Sequence, residues 1–211
     1  MGTLRWGDWG YTLCGNGLGV DGYFWAMRLT LLVLFACVGA SLWAWGSHPQ
    51  SVWLRWGLIP YRLRHYGEWY RVLTATLFHA DFMHLLLNAV VFYSFGSTLE
   101  PQYGRGLYAL LLLAGALGSA LADYWRYKDN PDHVSIGLSG VVNAVLFAFI
   151  LYYPKAQLLV FGLLPLPAWL FALLYLAYSL YAAHQGRDYV NHWAHLGGAA
   201  AGIVFAYLLP L

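Results

Sequence analysis

The sequence predicts an all-α membrane protein, a bundle of six transmembrane helices with a short central fourth helix and a long interfacial first loop. Of its 211 residues, 61% are hydrophobic and only 9% are charged, whereas soluble domains carry about 25% charged residues. Aromatic residues make up 18% of the chain, and Trp and Tyr gather near the ends of apolar runs, as at membrane–water interfaces. The net charge of +2 comes without a basic run, which argues against a nucleic acid partner.

Six apolar runs define the predicted helices, and most approach the ~20 residues that a membrane span needs. The fifth contains Pro165 and Pro167, so its helix is expected to kink or to begin late. No repeat or linker divides the chain. We therefore expect an N-terminal extramembrane segment, 1–22, and one membrane domain, 23–211. The runs are Phe24–Trp45, Met83–Tyr103, Leu107–Trp125, Ser139–Tyr153, Leu158–Ala183 and Trp193–Leu209.

The connection between the first two runs, 46–82, mixes aromatic and basic residues. Trp69 and Tyr70 stand beside Arg71, and similar pairs occur upstream. Such a mixture favours a segment that lies in the membrane interface. An ordinary loop is the alternative.

The fourth run is too short to cross a bilayer. Ser139 to Tyr153 is 15 residues, about 22 Å of helix against a hydrocarbon core of about 30 Å. Pro154 closes its far end, so the end at Ser139 should fall short of its surface. Irregular backbone at membrane depth is tolerated where protein buries it or water reaches it. The segment 135–140 is therefore expected to dip into a wet cavity, unless the bilayer thins to meet the helix.

Polar residues of three runs are expected to converge. With six spans, the second, fourth and sixth helices all begin at one membrane face. Ser139 opens the fourth helix, and His195 lies in the first turn of the sixth. His84 and Asn88, four residues apart, share one face of the second. Intramembrane polar groups usually face a bundle interior or a cavity.

This arrangement allows the helices to pack closely, and it places the groups of a nucleophilic reaction side by side. Gly198 and Gly202 form a Gly-x-x-x-Gly face below His195, and Gly140 offers a small surface on the fourth helix, so the backbones can approach. His195 would then take the proton of Ser139 as general base. Backbone N–H groups near Ser139, with His84 and Asn88, would stabilise the oxyanion. No acidic residue lies within a turn of His195 in its run, which favours a dyad over a triad.

These stretches resemble the rhomboid family of intramembrane serine proteases. The matching residues are Gly137-Leu138-Ser139-Gly140, His79-Ala-Asp-Phe-Met-His84-Leu-Leu-Leu-Asn88, Ala194-His195-Leu-Gly-Gly198-Ala-Ala-Ala-Gly202 and Gly67-Glu-Trp-Tyr-Arg71.

The resemblance, which covers about 58–209, implies a rhomboid-like bundle, transmembrane protein substrates cleaved in or near their spans, and no cofactor. It implies a multi-pass protein, expected in a bacterial plasma membrane. The implied site roles are a nucleophile at Ser139, a base at His195, and oxyanion donors at His84 and Asn88. Structural roles at the site fall to Gly137, Gly140, Gly198, Gly202 and His79.

Two departures from the family pattern stand out. Many bacterial members carry a tyrosine four residues after the serine, stacked on the base, and this chain has Asn143. The ring beside His195 must then come from elsewhere, with Trp193 and Trp125 as candidates. In the first loop the usual Trp-Arg pair reads Tyr70-Arg71.

Other interpretations stay open at this point. Rhomboid-like pseudoproteases bind membrane clients without cleaving them, but typically lack the serine or the histidine. A small transporter would also place polar groups at depth, although no inverted repeat is evident. His192 and His195, with His79 or His84, could hold a metal, but no cysteine or carboxylate joins them at useful spacing.

The orientation of the chain also stays open. A cytoplasmic N-terminus, as the resemblance implies, puts more Lys and Arg outside than inside, against the positive-inside rule. By analogy with the family, the fifth helix is a candidate lateral gate.

Overall fold

The structure, a computed structural model, describes residues 28–160, 162–186 and 190–211. The expected N-terminal extramembrane segment, 1–22, and the start of the first apolar run lie outside these residues. Across the described residues the chain is predominantly helical, with eight α-helices, one short 3₁₀ helix and one β-hairpin.

The first long helix is followed by a series of short ones. Helix α1 covers Arg28–Gly46, and the connection after it folds into α2 (Pro49–Trp56), α3 (Pro60–Tyr66), α4 (Arg71–Thr74) and a 3₁₀ turn, Ala75–Leu77. Both α2 and α3 begin with proline, which suits the first helical position because no N–H is needed there. Gly67 ends α3 in a left-handed conformation, with φ 67°.

The longest helix, α5, covers Phe82–Tyr127, 46 residues. A straight helix of this length would measure about 69 Å, more than twice the hydrocarbon thickness of a bilayer. Gly104 breaks it with φ 71° and ψ 161°, so α5 consists of a first leg, 82–103, and a second leg, 105–127. These legs match the second and third apolar runs.

The fourth helix of the sequence prediction is α6, Ser139–Tyr152, and it is both short and central. It has 14 residues, and every residue from Gly140 to Ile150 is buried. It packs against α5 and α8. Its apolar character on all sides fits a helix enclosed by other helices.

The fifth run begins with a hairpin. Strands β1 (Gln157–Val160) and β2 (Leu164–Pro167) pair antiparallel, with Gln157 opposite Pro167. The helix of this run, α7, covers Ala168–Gln185. It therefore begins late, directly after the two prolines, which lack the N–H that a helix interior needs.

The last helix among the described residues is α8, His192–Leu208. Asn191 caps it, since its side-chain oxygen accepts the N–H of Ala194 at 3.1 Å. This cap fixes the first turn of α8, where His195 lies.

Within the described part of the chain, α1 and α5 are long and apolar enough to cross a membrane. Large apolar side chains cover the outside of the bundle: Phe35 is 72% exposed and Leu173 is 59% exposed. Such a surface suits lipid better than water. The number of crossings stays a prediction.

Candidate active site

Ser139 is the first residue of α6, and the turn before it has a backbone conformation that favours glycine at position 137. Gly137 has φ 125°, a conformation that residues with a Cβ rarely adopt. A Cβ built on Gly137 would lie only 2.8 Å from His84 Nε2. The glycine therefore lets the backbone before Ser139 pass directly against His84.

The first loop holds this turn in place through three backbone contacts. Leu58 and Ser135 exchange two hydrogen bonds of 2.9 Å each, and the N–H of Gly137 donates to the carbonyl of Ala75 at 3.0 Å. The N–H of Leu138 donates to His79 Nε2 at 3.3 Å. The position of Ser139 thus depends on the fold of a loop more than fifty residues upstream.

His79, expected to be structural, is fully buried in this contact. Since Nε2 accepts the Leu138 N–H, the ring proton is assigned to Nδ1, which lies 3.1 Å from Ser41 Oγ. Burial is the main cause that lowers the pKa of His79 to about 4, and nearby His84 lowers it further, while Asp81 opposes the shift. His79 is therefore neutral near pH 7 and can accept the backbone hydrogen bond.

Ser139 and His195 are in direct contact. Ser139 Oγ lies 2.7 Å from His195 Nε2, a distance at which the hydroxyl donates a hydrogen bond to the ring nitrogen. Both side chains are half-buried. The structure thus joins two residues that are 56 positions apart in the chain.

Glycine contacts bring the two helices together. A Cβ on Gly198 would overlap the backbone of Gly140, and one on Gly202 would overlap the backbone of Ala144. The small face of α8 therefore lies against the backbone of α6, and His195 is one turn from this contact.

His84 and Asn88 lie on the first leg of α5, on the other side of the Gly137 turn. His84 Nδ1 accepts the N–H of Ala80 at 3.4 Å, so the proton is assigned to Nε2, the atom that faces Gly137. Asn88 is buried, and its Nδ2 donates to the carbonyl of His84 at 2.8 Å. Neither side chain hydrogen-bonds to Ser139.

The aromatic side chain that contacts His195 does so through its hydroxyl and was not predicted, and the ring that lies against His195 is that of His192, with centroids 6.0 Å apart. The Tyr175 hydroxyl, on α7, lies 3.3 Å from His195 Nδ1. The two expected candidates have other neighbours: the Trp193 ring lies near His184, and Trp125 is 65% exposed. Tyr175 stands in an apolar, aromatic run, where no sequence signal separates it from the other tyrosines.

A second polar cluster, not predicted, lies next to the site. Asp123 is fully buried at the end of α5 and accepts hydrogen bonds from Ser135 Oγ at 2.8 Å and Asn191 Nδ2 at 2.5 Å. His133 Nε2 lies 2.9 Å from the same carboxylate and 3.1 Å from Ser135 Oγ. Because both contacts use one ring nitrogen, the cluster cannot relay a proton as a catalytic triad does. It instead ties the cap of α8 to the segment before Ser139.

A small cavity opens at Ser139, between the Gly137 turn and the start of α8. Its volume of about 40 Å³ is enough for a few water molecules. Ser135, Gly137, Ser139, Asn191 and Ala194 contribute to its lining. Within the described ranges, no three His, Cys, Asp or Glu side chains are grouped as metal ligands.

Comparison with known proteins gives a consistent match. Residues 66–210 match the family model described as Rhomboid domain. The chain is 26% identical over 153 residues to the RHOMBOID-like protein 12, mitochondrial, of Arabidopsis thaliana, which covers 65% of this chain and 46% of the relative. It is 30% identical to the Rhomboid-like protein 11, chloroplastic, of the same plant, over 71% of this chain and 55% of the relative.

A bacterial relative is also similar. Rhomboid protease GluP of Bacillus subtilis is 32% identical over 84 residues, 40% of this chain and 16% of the relative. The chain thus spans about half the length of the two plant relatives, or less. The relatives come from mitochondria, chloroplasts and bacteria, so a bacterial plasma membrane stays a prediction.

Proposed function

This chain belongs to the rhomboid family, and on that premise we propose that it is an intramembrane serine endopeptidase that uses a Ser139–His195 dyad. The observation that carries the proposal is the 2.7 Å contact between Ser139 Oγ and His195 Nε2. A serine hydroxyl becomes a nucleophile when an adjacent base takes its proton. Family membership supports protease chemistry, and the contact supplies a nucleophile with its base.

The proposed reaction has two stages. Ser139 Oγ attacks the carbonyl carbon of a substrate peptide bond while its proton passes to His195 Nε2. His195 then gives this proton to the leaving nitrogen as the C–N bond breaks, which leaves an acyl-enzyme and a free amine. In the second stage His195 takes a proton from water as the hydroxide adds to the ester carbonyl. The bond between the carbonyl carbon and Ser139 Oγ then breaks as His195 returns this proton to Oγ, which releases the carboxylic acid product. The water-sized cavity at Ser139 suits this hydrolytic step.

The negative oxygen of each tetrahedral intermediate needs hydrogen-bond donors. The N–H of Ser139 lies at the beginning of α6, where the first N–H groups have no acceptor within the helix and the helix dipole favours negative charge. His84 Nε2–H faces the Gly137 turn. Asn88 uses one amide hydrogen on the His84 carbonyl, which leaves the second for a ligand. We assign these two side chains as oxyanion donors.

The proposed substrates are transmembrane segments of other membrane proteins. The apolar exterior of the bundle supports this assignment, since a peptide must reach Ser139 from the surrounding bilayer. The proposed chemistry uses only side chains and water, so no cofactor is required.

The test is cleavage of a model transmembrane substrate in liposomes by matched variants. Ser139→Ala and His195→Ala should abolish cleavage, a loss on the order of 10⁴-fold or more. His84→Ala and Asn88→Ala should each lower kcat by roughly 10²-fold, since each removes one oxyanion donor. The exposed residues Ser94 and His184 supply controls, Ser94→Ala and His184→Ala, which should cleave at the wild-type rate.

A fluorophosphonate probe provides a second readout. It should label the wild-type protein at Ser139 and fail to label Ser139→Ala. A well-folded wild-type protein that neither cleaves nor labels would contradict the proposal and favour a non-catalytic protein that binds membrane clients.

A further inference from the structure

The imidazole of His195 is contacted on both of its nitrogens. Nε2 faces Ser139 Oγ at 2.7 Å, and Nδ1 faces the Tyr175 hydroxyl at 3.3 Å. We propose that Tyr175 is the positioning residue of this site, which holds His195 in the tautomer and orientation that its role as a base requires. This inference rests on the proposed function and adds to it a residue on a helix that contributes no group to the dyad.

The tautomer follows from the direction of the hydrogen bonds. A neutral His195 that accepts the Ser139 proton at Nε2 must carry its own proton at Nδ1. Nδ1–H then donates to the Tyr175 oxygen, because a phenol oxygen can accept while its own O–H donates elsewhere. An aspartate plays the corresponding part in serine protease triads. Here a neutral phenol does so without placing a charge at membrane depth, where a charge is costly.

The Tyr175 hydroxyl has two further polar neighbours. The side chains of Asn143 and Ser179 adjoin it, and both are buried. Across the residues that the structure describes, neither Asn143 Oδ1 nor Ser179 Oγ has a hydrogen-bond partner, so the Tyr175 O–H is not hydrogen-bonded to either oxygen. Asn143 Nδ2 in turn donates to the carbonyl of Ser139 at 2.8 Å.

Three hydrogen bonds connect these residues in a row, Tyr175 with His195, His195 with Ser139, and Asn143 with the Ser139 carbonyl, and the Asn143 side chain also lies beside the Tyr175 hydroxyl. Each member restricts the others, and three helices contribute. The substitution of asparagine for the expected tyrosine at position 143 and the presence of Tyr175 therefore belong to one arrangement. The aromatic group beside the proposed base lies on α7, and Asn143, which adjoins its hydroxyl, donates to the carbonyl of Ser139.

Packing holds the phenol ring in position. The Tyr175 ring contacts the Phe147 ring of α6, with centroids 5.7 Å apart, and the Phe171 ring of α7 at 5.8 Å. These contacts do not involve the hydroxyl. Tyr175→Phe should therefore keep the ring in place and remove only the oxygen.

The test compares Tyr175→Phe with Tyr181→Phe, a control at an exposed tyrosine of the same helix. Tyr175→Phe should lower kcat roughly tenfold to a hundredfold with KM unchanged, as expected for loss of a hydrogen bond to a group that becomes charged in the transition state. The control should keep both constants. The substrate is the model transmembrane peptide in liposomes.

A spectroscopic readout is independent of turnover. In ¹⁵N-histidine-labelled protein, the His195 signals are those that disappear in His195→Ala. The wild-type protein should show a protonated Nδ1 and an unprotonated Nε2, and Tyr175→Phe should show a mixture of the two tautomers.

Two results would overturn the inference: an unchanged kcat in Tyr175→Phe, or the same His195 tautomer in both proteins. A rise in KM alone would also overturn it, since it would assign Tyr175 to substrate binding. Failure of the proposed function looks different, because the wild-type protein itself would then neither cleave nor label.

Discussion

At the scale of single residues, the candidate site depends on a side chain that must stay neutral, His79, as well as on the proposed dyad. His79 accepts the Leu138 N–H at 3.3 Å only while its Nε2 is unprotonated. That hydrogen bond fixes the residue before Ser139. Protonation of His79 at Nε2 would replace this acceptor with a donor, and two N–H groups, those of His79 and Leu138, would then face each other.

This behaviour predicts loss of stability in acid. The pKa of His79 is lowered from 6.5 to about 4, chiefly by burial. Above pH 6.5 the residue is neutral in both folded and unfolded states, and its contacts are fully present. As the pH falls from 6.5 towards 4, the unfolded state binds the proton first, so stability should fall by on the order of 3 kcal/mol. Below about pH 4 this residue adds no further loss.

Thermal unfolding in detergent at several pH values between 7.5 and 4 measures the effect. His79→Gln keeps an acceptor at this position and cannot titrate, so it should be less stable at pH 7.5 but show a shallower dependence on pH. His84 and Asp81, the neighbouring titratable groups, remain in both proteins. Equal slopes in the two proteins would contradict the assignment to His79.

The residues of the proposed dyad could be predicted from sequence because rare combinations surround them. A serine between glycines at the start of a short apolar helix, and a histidine one turn above Gly-x-x-x-Gly, predicted the pair that the structure brings within 2.7 Å. Tyr175 could not be predicted, because one tyrosine in an aromatic-rich run has no distinguishing neighbour. Asp123 was missed for a related reason: its partners Ser135 and Asn191 are distant in sequence and become adjacent only through helix packing.

At the scale of helices, the distance between Ser139 and His195 is set by the contact of α6 with α8. Glycines at 198 and 202 let the backbones meet without side chains between them. In lipid such contacts rely on van der Waals packing and hydrogen bonding, because apolar burial offers little gain there. Small changes in this contact should therefore change the distance between Ser139 and His195.

Gly202→Ala tests this dependence. The added Cβ would overlap backbone atoms of Ala144, which cannot move aside as the end of a side chain can. We expect α8 to shift, stability to fall by about 1–3 kcal/mol, and fluorophosphonate labelling of Ser139 to slow. The control is Gly39→Ala in α1, where an added Cβ meets no atom within 4 Å. Equal labelling rates in Gly202→Ala and wild type would show that the site tolerates a wider helix contact.

Helix boundaries were predictable to the extent that apolar runs and breakers mark them. Ser139–Tyr152 agrees with the expected Ser139–Tyr153, since glycines and Pro154 flank the run. The hairpin before α7 was not predicted, because its strands, Gln157–Val160 and Leu164–Pro167, are as apolar as the helix that follows. The prolines indicated only that the helix could begin late.

At the scale of the whole molecule, the first loop acts as the support of the site. Arg71 is buried, and its guanidinium contacts Glu68 at 2.5 Å and the carbonyls of Leu54 and Gly57 at 3.0 and 2.7 Å. Gly57 immediately precedes Leu58, which pairs with Ser135. One side chain thus connects the packing of the loop to the strand-like segment that leads to Ser139.

Arg71→Met is expected to disturb both the fold and the distant nucleophile. It leaves the buried carbonyl of Gly57 and the partly buried carbonyl of Leu54 without their donor, so stability should fall by roughly 2–4 kcal/mol. Labelling of Ser139 should decline because the pairing of Leu58 with Ser135 loosens. Arg62→Met is the matched control, since Arg62 pairs with the same Glu68 at 3.3 Å but is 47% exposed, and such surface pairs contribute only about 0–1 kcal/mol. Thermal unfolding in detergent compares the stability of the two variants, and probe labelling compares the reactivity of Ser139 in them. If Arg71→Met loses stability yet labels at the wild-type rate, the loop stabilises the bundle without positioning Ser139.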